Sequence, residues 1–175
     1  MAKSGKRSDA LGVAMHMEQE GIKFYTKAGE RSANERGQRM FFSLVKDEQR
    51  HLEIFQEMAE REGVRPSRAG ELDESSPVSR IGPLFKGAAA KLKQAMKSSD
   101  GDIKAIDLAL GMEQKAYSYY TDAATAMADG REKKILLKIA EEENEHFRIL
   151  NDTRLYLTYP QMWHIIQEKP VIDGG

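Results

Sequence analysis

Apolar and polar positions along this chain fall into four stretches with the three- and four-residue spacing of amphipathic helices. The first starts at Ser8 or Asp9, either of which suits an N-cap, and carries Leu11, Met15, Glu18, Ile22 and Tyr25 on one face to about Arg31. The second, about Glu35 to Glu62, repeats the spacing with Phe41, Leu44, Val45, Glu48, Leu52 and Phe55, and Gly63 is its stop. A third runs from about Asp102 to Met127 through Ile106, Leu110, Glu113, Tyr117 and Tyr120. The fourth carries Leu136, Ile139, Ala140, Glu143, His146 and Leu150 to about Tyr156. Short loops within each pair predict two antiparallel hairpins, 8–63 and 102–156. In the connection 64–101, Pro66, Pro77 and Pro83 break any long helix. Within it, Leu84, Phe85, Ala88, Ala89, Leu92 and Met96 space out a short helix. A tail, 157–175, holds the only Trp, Trp163, which we expect to pack back onto the bundle or a neighbouring subunit. The expectation is a single all-α domain, a four-helix bundle of two hairpins joined by a long crossover.

Composition narrows the chemistry. The 175 residues hold 27 Lys and Arg against 28 Asp and Glu, so a net charge of -1 offers no footprint for nucleic acid or an anionic membrane. No run reaches the roughly 18 apolar residues of a membrane span. The basic N-terminus MAKSGKRSDALG has no apolar stretch behind it, and a cytoplasmic location is the expectation. With no cysteine, sulfur-ligated metals and thiolate nucleophiles are excluded, and any metal must sit on Glu, Asp or His.

The chain also repeats itself. Met17-Glu18-Gln19 returns as Met112-Glu113-Gln114, and Phe24-Tyr25-Thr26 as Tyr119-Tyr120-Thr121, each 95 positions on. The same offset takes Glu48 and His51 to Glu143 and His146. One register therefore aligns both helices of each hairpin. At about 100° per residue, Glu18, Glu48, Glu113 and Glu143 all share faces with core residues. Burying a lone carboxylate is costly, and four together also repel. Two divalent cations balance four carboxylates. His51 and His146, one turn beyond their glutamates, add a neutral nitrogen each. Two Glu-x-x-His helices plus one Glu from each remaining helix are the ligand set of di-iron or di-manganese carboxylate bundles. Glu20 competes with Glu18, but its counterpart in the second half is Lys115. Glu57, Glu141, Glu142 and Glu145 read as solvated, and His16 and His164 fall outside the paired pattern.

Through MEQEGIKFY, DEQRH, MEQKAYSYY and EENEH, over about residues 8–156, the chain resembles the rubrerythrin-like branch of the ferritin-like superfamily. The resemblance implies a ferritin-like fold and two iron ions on Glu18, Glu48, His51, Glu113, Glu143 and His146, with Tyr25 and Tyr120 beside them. It implies an oxidoreductase that reacts with peroxide or oxygen, or oxidises ferrous iron, and a homodimer. Two departures stand out. There is no cysteine for a rubredoxin domain, which points to an external electron donor protein. The additional glutamate such proteins carry one turn beyond the helix-three ligand is replaced by Ala116, with Gly21 at the matching place in the first half. Manganese or zinc also suits these ligands. The open alternatives are a ferroxidase or iron-handling protein, and a non-enzymatic bundle that metal ions hold together. Tyr25 and Tyr120 equally fit a role as core tyrosines.

Overall fold

The computed structural model describes residues 2–63, 65 and 88–167. These form six helices, numbered α1 (Ala2–Arg31), α2 (Glu35–Glu62), α3 (Ala88–Ala95), α4 (Gly101–Thr125), α5 (Arg131–Thr158) and α6 (Pro160–Gln167). Among the described residues there is no strand, and no helix is long and apolar enough to cross a membrane. Helices α1 and α2 pack as one hairpin and α4 and α5 as the other. The hairpins meet along two seams, α1 against α4 and α2 against α5, giving a ferritin-like four-helix bundle.

Local chemistry sets the ends of α2. Asn34, in extended backbone (φ -102, ψ 125), accepts from the N–H groups of Arg36 at 2.9 Å and Gly37 at 3.1 Å. Its own N–H donates to Asp102 Oδ2 at 3.2 Å, which pins the first hairpin loop to the start of α4. Gly63 closes α2 in the left-handed conformation (φ 61), which glycine adopts without a Cβ clash. The buried stripe of α1 follows Leu11, Ala14, Glu18, Gly21, Tyr25 and Ala28, a three-four alternation in which small residues let the neighbouring helices close in.

Three expectations change. The N-cap predicted at Ser8 or Asp9 lies inside α1, which starts at Ala2; residues 2–9 contain no proline, and a formed helix extends readily through them. Met15 and Ile22 flank the core rather than fill it, because Ala14, Met17 and Phe24 take the inward positions. Tyr117 is 43 % exposed, since Ala116 holds the core position and the next residue turns outward by about 100°.

The crossover helix is present as α3, which lays buried Leu92 against α4 and α1. Leu84 and Phe85, placed in that helix from sequence, lie outside the described residues, as do the side chains of Ala89 and His164. The tail turns back on its own bundle. Trp163 donates to Asp152 at 2.9 Å and meets Tyr156 edge-on, and the Arg36 guanidinium lies 4.2 Å from its ring.

Asn34→Ala removes an acceptor that two N–H groups share. We expect a loss of about 1 kcal/mol, a fall in Tm of about 2–4 °C read by thermal denaturation.

Candidate metal centre

Each bundle helix delivers a carboxylate to one place. Glu18 comes from α1, Glu48 from α2, Glu113 from α4 and Glu143 from α5, with His51 and His146 one turn after the second and fourth. All six residues are at most 4 % exposed. They form two groups, Glu18, Glu48, His51 and Glu143, and Glu48, Glu113, Glu143 and His146, with the ligand atoms of each group within 4.8 Å of one another. Glu48 and Glu143 belong to both.

Their orientation suits bridging. His51 Nδ1 lies 3.8 Å from Glu48 Oε2 and 3.2 Å from Glu143 Oε1, whereas His146 Nδ1 faces the other oxygens, Glu48 Oε1 at 3.7 Å and Glu143 Oε2 at 3.4 Å. The terminal carboxylates take one side each. Glu18 Oε2 is 3.7 Å from His51, and Glu113 Oε2 is 3.8 Å from His146.

The pocket is short of positive charge. His51 Nδ1, His146 Nδ1 and both oxygens of Glu143 are buried without a hydrogen bond, although His51 and Glu143 approach to 3.2 Å. Nδ1 of His51 faces carboxylate because Nε2 is taken, 2.8 Å from Glu142 Oε2. A lone pair aimed at a carboxylate is repulsive unless a proton or a metal ion lies between them. Two divalent cations fit these orphaned atoms and this donor set. Without metal, protons do the work. Burial opposes charging His146, but Glu113 and Glu143 push it up to about 10. Burial likewise opposes His51, which Glu143, Glu18 and Glu48 raise further. Burial and the Glu143 charge raise Glu113 to about 8, and burial with Glu18 and Glu143 raises Glu48. Burial would raise Glu143, yet His146 and His51 hold it below the usual carboxylate range.

Around the ligands the repeat continues. Tyr25 donates to Glu113 and Tyr120 to Glu18, each hydroxyl crossing to the other hairpin. Burial, then the accepting glutamate, raises both phenols, so both keep their protons at neutral pH. Glu142, read from sequence as solvated, is instead 25 % exposed and sits between His51 and Arg50, 2.8 Å from each. Its counterpart Asp47 lies 3.7 Å from His146 Nε2. Both precede a ligand glutamate in the same register, the signal that could have found them. Glu20, by contrast, turns outward to Lys23 at 2.7 Å.

Gly21 and Ala116 face the carboxylates. A Cβ at Gly21 would stand 3.3 Å from Glu48 Cδ, so glycine gives that side chain its room. A cavity of about 10 Å³ opens here, lined among others by Gly21, Ala116, Glu18 and Glu113.

Two predictions follow from these contacts. Glu142→Ala leaves the six ligands in place but frees the His51 ring, and should weaken metal binding about 10–100-fold in a competitive chelator titration. Loading should also expel the protons that stand in for metal. Since Glu113 and His146 are raised to about 8 and about 10, both are protonated at pH 7 and must lose their protons to ligate. Glu48 and His51, also raised, must lose theirs too, so apparent affinity rises from pH 6 to pH 9, with about four protons released per two ions, measurable in weakly buffered dye solution.

No curated protein and no solved structure matched the chain. A family model described as Rubrerythrin matches residues 9–154, which include all four bundle helices but for their outer ends and every residue of the centre. The chain therefore belongs to the rubrerythrin family, a ferritin-like family that typically binds di-iron.

Proposed function

We propose that the protein is an oxidoreductase whose dinuclear non-haem iron centre reduces peroxide or oxygen with electrons from an external donor. The observation that carries this reading is the pair of interlocking ligand groups sharing Glu48 and Glu143, because a shared carboxylate holds two ions close enough to act together. Two ferrous ions there would supply the two electrons that cleave one oxygen–oxygen bond. The protein's part is positional. Tyr25 and Tyr120 hold Glu113 and Glu18 in place from the opposite hairpin, and the Glu142 contact aims His51. The small cavity beside Gly21 and Ala116, lined also by the buried Met17 and Met112, is where a small oxidant would meet the centre.

Gly21 and Ala116 also favour a second reading. With neither half supplying a further carboxylate on this side, the centre suits a simpler ferroxidase that handles iron. The ligands accept manganese or zinc as well, and iron is preferred on the family's habit.

Anaerobic ferrous loading followed by peroxide distinguishes these. The expected result is rapid oxidation, followed by absorption, saturating at about two irons per chain, with Glu48→Ala far slower. Oxidation no faster than in that variant removes the reading. Uptake of ferrous iron and oxygen well past two per chain, with mineral formed, moves the assignment to the ferroxidase.

A further inference from the structure

The repeated Met-Glu-Gln triplet contains a residue that metal binding does not use. Met17 and Met112 occupy equivalent places in the two halves, immediately before Glu18 and Glu113. They are 3 % and 6 % exposed, and both line the small cavity beside the centre. Its volume, about 10 Å³, is at the lower limit for one water molecule, so hydrogen peroxide, with two oxygens, enters only as the flexible Met17 and Met112 side chains give way. The carboxylates, Gly21 and Ala116 in its wall cannot take up an oxygen atom, and the Tyr25 and Tyr120 hydroxyls that complete it are engaged with Glu113 and Glu18. A thioether takes up an oxygen atom directly.

We propose that Met17 and Met112 are oxidative modification sites, converted to sulfoxides by hydrogen peroxide held at the loaded centre when the external donor fails to keep pace. This rests on the peroxide-reducing reading above. The sulfur lone pair attacks one peroxide oxygen, forming an S–O bond as the O–O bond breaks. The second oxygen leaves as hydroxide and takes the proton from the new S–OH. One thioether and one hydrogen peroxide thus give one sulfoxide and one water; sulfur loses two electrons and the peroxide oxygens gain them. The added oxygen occupies the cavity and makes its wall polar, so oxidation closes the site to further peroxide. Sulfoxide reductases can reverse it.

Two other methionines are internal standards. Met58 is as deeply buried, at 5 % exposed, but lines a different cavity with Leu11 and Phe55, and Met162 is 55 % exposed. The full chain is loaded anaerobically with ferrous iron or left metal-free. Both samples receive excess hydrogen peroxide without a reductant. Absorption follows the iron, and peptide mass spectrometry reads each methionine. In the iron sample Met17 and Met112 should gain one oxygen several-fold faster than Met58. In the metal-free sample Met162 should lead and the other three lag together. Rapid iron oxidation with Met17 and Met112 no faster than Met58 overturns the proposal and leaves the peroxide reading standing, as does equal oxidation of the pair without metal. A ferrous centre that does not react with peroxide overturns both.

Discussion

Uncompensated negative charge in an apolar core is the constraint on which this structure depends. Four glutamates, none more than 4 % exposed, share the bundle centre with two imidazoles. Such a cluster is tolerable only if positive charge enters it, as metal ions or as protons on His51, His146, Glu48 and Glu113. What neutralises the core is thus also what the core is built to hold. Stability and the capacity to hold metal are one constraint seen from two sides, because the geometry that keeps the carboxylates apart from water also gathers their oxygens into two groups.

The bundle is tied to that cluster at both seams. Across α1 and α4, Tyr25 reaches Glu113 and Tyr120 reaches Glu18; across α2 and α5, His51 reaches Glu142. Every one of these bonds joins the two hairpins and involves a ligand residue. A sliding of one hairpin against the other would break hydrogen bonds and disperse the ligands together. The core stripe of α1 contributes by being thin, with Ala14, Gly21 and Ala28 allowing close approach, and at Gly21 the space left is taken by Glu48.

Much of this could be read from the residues. The helices declared themselves through spacing, and the ligands did so because a glutamate on an apolar face contradicts its surroundings. The six side chains meet because one register governs both halves. What escaped had weaker signatures. Ala14 and Ala28 carry little hydrophobic signal, so spacing alone points the larger Met15 and Ile22 inward on α1. Tyr117 is aromatic but exposed, the side chain being less decisive than the rotation of the helix past Ala116. Glu142 lies in a run of five acidic or amide residues, 141–145, and apart from its register with Asp47 nothing but its distance to His51 separates it from its solvated neighbours. Periodicity marks the face that a core covers. It is nearly silent on a polar residue at the edge of that face.

The duplication is broken where it bears on the metals. Glu142 and Asp47 hold equivalent positions, but glutamate is one methylene longer, and it reaches His51 at 2.8 Å while Asp47 stops 3.7 Å from His146. The first imidazole is held by a charge-assisted hydrogen bond, and its carboxylate is in turn anchored by Arg50 at 2.8 Å. The second has no such restraint. Beside the shared carboxylates the halves differ again, glycine at position 21 against alanine at position 116. Glu48 consequently has room where α1 passes it, and His146 has latitude on the other side. A symmetrical ligand set therefore offers two unequal positions, a firmer one on the His51 side and a looser one on the His146 side. On the looser side the imidazole can shift without breaking a hydrogen bond, whereas on the His51 side any shift must break the contact to Glu142.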